Sequence, residues 1–380
     1  MPDDDARVDV LMILEGRFPA MGGAERQLQT LAAALMRDGH GVELVCPRLD
    51  PALPAGRDSV QGLPVWRIAF PRLPVLGKLV LLVRLAAWLV AHRARYDAIH
   101  VHIAHHMGAV AAVVGALLGK PVIVKFSGWW ETERGCLRNR TPGATLSRWM
   151  LRRATAVQAI SRRFATDLVD WGFPADRVHW LPNAVDTKRF GATPLPPSGA
   201  GTRILVYVGR LVPEKGLNVL LQAWAMTLGH SGSGWRLRLV GDGPLLVGLQ
   251  AQAQALGVAD TVDFAGASDH VEEELALASA GVLPSRFEGL SNTLLEYLSA
   301  GLPVVATRIS GNEDFVRDGY TGWLSEPGDA ASLAVALQSL GTASAPQLAD
   351  MGAQARAAVV ERASIPVVTG RLLALYGGSR

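Results

Sequence analysis

Residues 204–223 read ILVYVGRLVPEKGLNVLLQA: a short apolar run, a loop with Gly, Pro, Arg210 and Lys215, then apolar positions at helical spacing. A strand over Ile204–Val208, a helix over Leu217–Thr227 and a second apolar run at Leu237–Val240 make a βαβ unit, and such units build parallel sheets. The alternation continues downstream with a helix over Leu245–Leu256, strands at Val262–Phe264 and Gly281–Pro284, a helix over Asn292–Ala300 and a strand at Pro303–Ala306. Upstream it begins with a strand at Val8–Leu14. A helix over Gly23–Arg37 follows, with Leu28, Leu31, Ala32 and Leu35 on one face and Gly39 and Gly41 after it. Then come a strand at Val42–Cys46, a strand at Ala98–Ile103, a helix over Met107–Leu118 and a strand at Val122–Phe126. The expectation is an α/β protein of two tandem Rossmann-like, doubly wound parallel-sheet domains. The stretch GATPLPPSGAGTR (Gly191–Arg203) is the natural boundary. It predicts a first domain over 1–190, a linker over 191–202 and a second domain over 203–364, with a helix at about 365–380 packing back onto the first. Ligands of such sheets bind beyond the carboxyl ends of the strands, so two facing sheets predict an interdomain cleft.

Composition bounds the function. The chain has 380 residues, 49% hydrophobic and 19% charged, which is a globular composition of two-domain size. Its two cysteines, Cys46 and Cys136, supply neither a disulfide framework nor a zinc cluster and point to a reducing compartment. The opening MPDDDARVDVLMILEG is acidic, whereas a secretory signal begins basic and has a longer apolar core, so a cytoplasmic protein is expected. The acidic D-x-D within Asp3–Asp5 reads as a solvated terminus. Residues 1–190 carry 25 Lys and Arg against 17 Asp and Glu, and the remainder 12 against 17. A basic first half suits an anionic membrane surface or a lipid phosphate at the inner face of the membrane. The scattered basic residues and the lack of a recognition motif argue against nucleic acid. Leu73–Val90 is almost continuously apolar, but Lys78 and Arg84 interrupt it, and a central charge costs about 2.5–3.5 kcal/mol in a spanning helix. A buried helix or one lying on the membrane surface is expected instead.

The chemistry concentrates in PSRFEGLSNTLLEYLSAGLPVVAT (residues 284–307), where Glu288 and Glu296 stand eight positions apart. Glu288 lies in a loop after a strand, and Glu296 in the first turns of a helix that Ser291 or Asn292 would cap. A helix start of this kind offers unpaired N–H groups and a positive dipole end to a diphosphate. Carboxylates only accept hydrogen bonds, so Glu296 suits the paired hydroxyls of a ribose and Glu288 those of a sugar. Arg210 and Lys215, at the end of a strand, would hold the phosphates and stabilise charge on a departing nucleoside diphosphate. Gly22 and Gly23 open a helix after the first strand and let backbone approach a ligand. The run DAIHVHIAHH contains His100, His102, His105 and His106. His102 fits an acceptor-side role or a plain structural one. A metal is not expected, since no carboxylate or further ligand spacing supports it.

The motifs GGAE (22–25), AISRRFATDL (159–168), LPNAVD (181–186), VGRLVPEKG (208–216), LVGDGP (239–244) and the E-x7-E segment 288–296 follow one another in this order. With them the chain resembles glycosyltransferase family 4, retaining enzymes of the GT-B fold. The resemblance implies a nucleoside diphosphate sugar, UDP- or GDP-linked, as co-substrate, with no obligatory metal or other cofactor. It implies that Arg210 and Lys215 bind the diphosphate, Glu288 the donor sugar and Glu296 the ribose. It also implies that Gly241 and Gly243 lie beside the nucleotide, and that Gly289, Leu290, Ser291, Asn292 and Thr293 underlie the phosphates. The catalytic set is Arg210, Lys215 and Glu288. Two departures stand out: Ser127 occupies the place of a family His, with Lys125 on the same strand face as a partial substitute, and Ala184 replaces the glycine of the usual PNG. The expected reaction is sugar transfer to the hydroxyl of a glycan or lipid-linked glycan, in polysaccharide, lipopolysaccharide or glycolipid assembly. A sugar-nucleotide epimerase of similar fold and a non-catalytic sugar-nucleotide-binding protein are the alternatives.

Overall fold

The computed structural model describes residues 7–20, 22–128, 137, 139, 141–191, 202–229 and 233–377. Asp3–Asp5, Cys136 and nearly all of the 191–202 stretch fall outside them. The chain parts into two compact units, Met1–Ala184 with Ile365–Arg380, and Val185–Ser364. The cut precedes the Gly- and Pro-rich stretch because residues 185–190 are tied into the second unit. Val185 N–H donates to the Ala363 carbonyl at 2.9 Å, Ser299 Oγ donates to the Phe190 carbonyl at 2.8 Å, and Arg189 pairs with Glu272 at 2.8 Å.

The first unit is built on β1 (Asp9–Ile13), β2 (Gly41–Pro47), β3 (Gly56–Val60), β4 (Leu63–Ile68), β5 (Ala98–Val101), β6 (Val122–Phe126), β7 (Ala156–Ala159) and β8 (Val178–Trp180), in the order β3-β4-β2-β1-β5-β6-β7-β8. Every residue of β5, β6 and β7 is buried, as a parallel sheet covered on both faces requires. Alternate residues of β1 feed two cores. Val10 and Met12 pack with Leu28, Leu31 and Leu35 of helix Gly23–Arg37 and with Val368, Leu372 and Tyr376 of the C-terminal helix Ile365–Gly377. Leu11 and Ile13 pack with Leu81, Leu85 and Trp88 of helix Leu76–Ala91 and with Met107 of helix His106–Leu118.

The β3–β4 pair is antiparallel, an element the sequence reading passed over. Its first strand, GRDSV, is mostly polar and reads as a loop, yet Gln61 and Gly62, at φ 50° and 82°, make the tight turn a two-residue hairpin needs. Arg67, buried on β4, is ion-paired with Asp58 on β3. Strands β7 and β8 were likewise not anticipated. Helix Leu76–Ala91 is not buried all round: Leu76, Leu79 and Val83 are each more than half exposed. Among the described residues no helix is long and apolar enough to cross a membrane.

The second unit holds β9 (Arg203–Val208), β10 (Trp235–Val240), β11 (Val262–Gly266), β12 (Ala280–Leu283), β13 (Val304–Thr307) and β14 (Gly322–Ser325), all parallel, in the order β11-β10-β9-β12-β13-β14. Numbered within the unit this is 3-2-1-4-5-6, the order of doubly wound dinucleotide folds. Helices Leu217–Met226, Asn292–Ser299, Ala330–Thr342 and Ala345–Ala363 belong to the same unit. Strand order reverses between β9 and β12 here, and between β1 and β5 in the first unit. Each reversal opens a crevice at the carboxyl ends of the strands, the place where such sheets bind ligands.

Candidate active site

In the second unit the crevice is shaped by backbone lying on backbone. A Cβ on Gly241, which follows β10 at φ 145°, would stand 1.9 Å from the Gly209 carbonyl oxygen, and one on Gly243 would stand 2.5 Å from that of Leu211. Glycine alone permits this approach, and Leu211 N–H seals it by donating to the Asp242 carbonyl at 2.9 Å. The loop after β9 is also laid along the loop after β12, where Arg286 N–H donates to the Glu214 carbonyl at 2.8 Å. Two buried phenols sit below. Tyr207 donates to the Arg210 carbonyl at 2.9 Å, and the Tyr297 hydroxyl oxygen accepts from Val208 N–H at 2.6 Å. Burial pushes both phenols far above their ordinary pKa, so they stay neutral.

The structure brings Lys215 and Glu288 together. Lys215 Nζ bonds to Glu288 Oε1, which also accepts from Ser285 Oγ at 2.7 Å, and both charged side chains are mostly buried. Ser285 is fixed in turn, since its carbonyl accepts from Thr307 Oγ1 at 2.6 Å. Arg210 does not join this pair. Its side chain is 72% exposed and stands 3.7 Å from Glu214, a surface ion pair of little energetic weight. Glu296 is buried within helix Asn292–Ser299. Ser291 occupies the N-cap with extended dihedrals, but its side chain makes no capping hydrogen bond, so the expected hydroxyl cap is missing. Asn292 and Thr293 begin the helix. Gly289 and Leu290, just before it, are pressed by a further loop: a Cβ on Gly311, at φ 88°, would stand 2.0 Å from the Gly289 carbonyl oxygen.

In the first unit the crevice is filled by side chains. Gly22 is the N-cap of helix Gly23–Arg37, with ordinary extended dihedrals, and Glu25 curls over it so closely that a Cβ would meet Glu25 Oε2 at 2.0 Å. A carboxylate of the chain's own thus covers the loop expected near an anion. His100 is structural: Nδ1 lies 2.7 Å from the Tyr376 hydroxyl and Nε2 lies 3.2 Å from Gln158 Oε1. Burial, helped by the Lys125 charge, lowers its pKa to about 3. His102 is different. It is 1% exposed, and neither ring nitrogen has a hydrogen-bond partner. Burial, with His100 and Lys125 nearby, holds it neutral. Lys125 is buried and donates to Asn183 Oδ1 at 2.7 Å, while Ser127 is half-buried just beyond β6. Trp129 and Trp130 lie outside the described residues. Cys46 is buried, and burial pushes its thiol up to about 12.

The sequence reading missed Glu15. It leaves β1 and meets His105 and His106 beyond β5, with Oε1 2.7 Å from His105 Nδ1 and Oε2 accepting from Met107 N–H at 2.5 Å. Burial alone would raise its pKa, but the hydrogen bonds of His105 and His106, the charge of His105 and the Met107 amide bring it down to about 2. Lys78 Nζ stands 2.7 Å from His106 Nε2. The signal for this cluster is topological: β1 and β5 are neighbours in the sheet, so residues just after each strand share one crevice.

Comparison with known proteins completes the picture. Residues 196–358 match the family model described as glycosyl transferases group 1, and residues 22–184 match a glycosyl transferase 4-like domain. A 2-deoxystreptamine glucosyltransferase of Streptomyces kanamyceticus is 31% identical over 335 residues, which cover 80% of this chain and 86% of that protein. An exopolysaccharide phosphotransferase of Streptomyces coelicolor is 39% identical over 171 residues, 44% of this chain but only 18% of that protein. A crystal structure of Anabaena HepE with UDP and glucose has a TM-score of 0.76 to the chain at 20% identity, covering 98% of this chain and 100% of its own. That is a likeness of fold.

Proposed function

The chain belongs to the group 1 glycosyl transferases and has a GT-B fold, and from that premise we propose that it moves a sugar, with retention, from a UDP- or GDP-linked donor to an acceptor hydroxyl. The acceptor is a glycan or lipid-linked glycan in polysaccharide, lipopolysaccharide or glycolipid assembly. One observation carries the reading: the Lys215–Glu288 pair at the β9–β12 crevice. Two mostly buried charges that neutralise each other are poised for exchange. A donor diphosphate draws the ammonium to itself, and the released carboxylate accepts hydroxyls of the sugar. Arg210, held only by a weak surface pair, closes on the same phosphates. The amino end of helix Asn292–Ser299, with Gly289, Leu290, Ser291, Asn292 and Thr293, underlies them. Gly241 and Gly243 flank the nucleotide, and Glu296 takes the ribose.

In the chemical step the bond from the anomeric carbon to the diphosphate oxygen breaks. The acceptor oxygen bonds to that carbon on the same face, and its proton passes to the leaving diphosphate. Arg210 and Lys215 stabilise the charge that develops there, so the donor side needs no metal or other cofactor. Gly22 and Gly23 take their donor-binding part once Glu25 withdraws from the loop it covers. His102, Lys125 and Ser127 serve the acceptor, and the unpartnered ring of His102 supports this. A thermal-shift series with UDP, GDP and their sugar conjugates identifies the donor, since ligands of the folded state raise the melting temperature. Transfer is then assayed in Arg210→Ala, Lys215→Ala and Glu288→Ala, and normal turnover in all three overturns the assignment. Donor incubated alone should yield no isomer.

The same reading places the protein at the cytoplasmic face of an anionic membrane. Leu76, Leu79, Val83 and Val90 form one exposed apolar stripe of helix Leu76–Ala91. Between Asp58 and Asp97 the chain has no acidic residue and, besides the buried Arg67, carries Arg72, Lys78, Arg84, Arg93 and Arg95. An apolar stripe among cations suits a bilayer with anionic headgroups. Co-sedimentation with phosphatidylglycerol vesicles, absent with phosphatidylcholine alone and lost in Leu79→Glu/Val83→Glu, is the expected result. Equal binding to both vesicle types overturns it.

A further inference from the structure

The first unit's crevice holds a set of donor atoms that the transfer reaction does not use. Glu15 Oε1 lies 2.7 Å from His105 Nδ1 and 3.7 Å from His106 Nδ1, and the two ring nitrogens are 3.0 Å apart. An ion bound tetrahedrally by nitrogen and oxygen at about 2.0–2.1 Å sets its ligand atoms about 3.3 Å from one another. The three separations straddle that edge. We propose that Glu15, His105 and His106 form a site for a divalent first-row transition metal, with zinc the best match to two imidazoles and one carboxylate.

Three further observations support a built site. Two adjacent, hydrogen-bonded strands carry it, with Ile13 in register with Val101, so its two halves are held together by the sheet. The carboxylate is oriented from behind, because its second oxygen accepts from Met107 N–H at 2.5 Å, the kind of outer partner that fixes a metal ligand. The imidazoles are 30% and 31% exposed, which gives an ion a way in and leaves a coordination position open. Three protein ligands with an open fourth position is the pattern of a reactive rather than a structural zinc site. The open position would take water or a hydroxyl oxygen of an acceptor. That last assignment rests on reading this crevice as the acceptor side; the metal site does not.

Lys78 supplies a test of sign. Its Nζ is 2.7 Å from His106 Nε2, at the edge of the cluster. A divalent ion held by His106 would stand close to this ammonium, and like charges repel. Removing the lysine should therefore tighten metal binding, an effect opposite to the usual loss on deleting a hydrogen-bond partner.

The experiment uses the full chain without a tag, stripped of metal by a chelator and titrated with Co2+, which is read by its tetrahedral absorption, and then with Zn2+ by calorimetry. One ion per chain is expected, with affinity at least about tenfold weaker in Glu15→Gln and in His105→Ala and tighter in Lys78→Met. The thermal shift produced by nucleotide serves as the control for an intact fold, and His106→Gln replaces any variant that loses it. Absence of saturable one-to-one binding overturns the site. So does unchanged affinity in the ligand variants that keep the nucleotide shift. Intact metal binding in a protein that transfers sugar to no acceptor would sink the acceptor reading and leave the site standing.

Discussion

The two crevices occupy equivalent places in two sheets of related topology, yet they are made of different material. In the second unit, loops after neighbouring strands touch through their backbones, with Gly241 against Gly209 and Gly216 against Pro284, and a mostly buried ion pair, Lys215–Glu288, stands at the mouth. In the first unit the equivalent space is packed with imidazoles and charged side chains from distant parts of the chain: Glu15, Lys78, His102, His105 and His106. Backbone amides and fixed cations make a surface for one recurring ligand, a diphosphate. Interlocked side chains make a surface that substitution can retune without moving the loops. The comparison teaches that a shared topology fixes where a ligand goes and leaves open what it is.

The contrast can be broken most directly at the ion pair. Lys215→Ala and Glu288→Ala should each lower turnover by roughly 10²–10³, the effect of losing one preorganised electrostatic partner, with the fold intact by circular dichroism. A loss below tenfold would remove the second crevice from the chemistry. Next in size is Gly241→Ala, which meets both a positive φ and a carbonyl oxygen. Destabilisation of at least about 1–3 kcal/mol is expected, read as a lower melting temperature and weaker nucleotide binding. An unchanged melting temperature would show that backbone contact does not set that crevice. In the first unit Tyr376→Phe, which strips the hydroxyl from His100, should cost about 1 kcal/mol and leave kcat alone. Smallest is His102→Leu. Its ring nitrogens have no partners to lose, so stability should stay within about 1 kcal/mol while the acceptor KM rises. A large fall in stability with an unchanged KM would make His102 a core residue.

The second unit was legible because its signals are local. Residues 204–223 and 284–307 each contain a strand, its loop and the helix that follows, so periodicity, glycine and charge could be read together. Lys215 and Glu288, both chosen from sequence, do meet. Arg210 is turned outward, and Ser291 caps nothing with its hydroxyl. Neither could be foreseen, because both depend on side-chain torsions that spacing does not encode. The first unit was legible as strands and helices but not as a site. Glu15 and His105 are ninety positions apart, and only the adjacency of β1 and β5 joins them. The β3–β4 hairpin was missed for another reason: its first strand is polar and lies at the sheet edge, where burial does not impose an apolar pattern.

The helix Ile365–Gly377 lies in the core of the first unit, with Val368, Leu372 and Tyr376 packed with β1 residues from the far end of the sequence. The first unit is therefore completed only after the second has been made. At about 5–20 residues per second, the second unit alone occupies the ribosome for roughly 10–40 s. During that interval the nascent amino-terminal sheet carries an uncovered greasy strip waiting for its lid. The emerging chain thus has a defined window in which chaperones can bind, and loss of this helix would injure the unit whose other elements lie farthest from it in sequence.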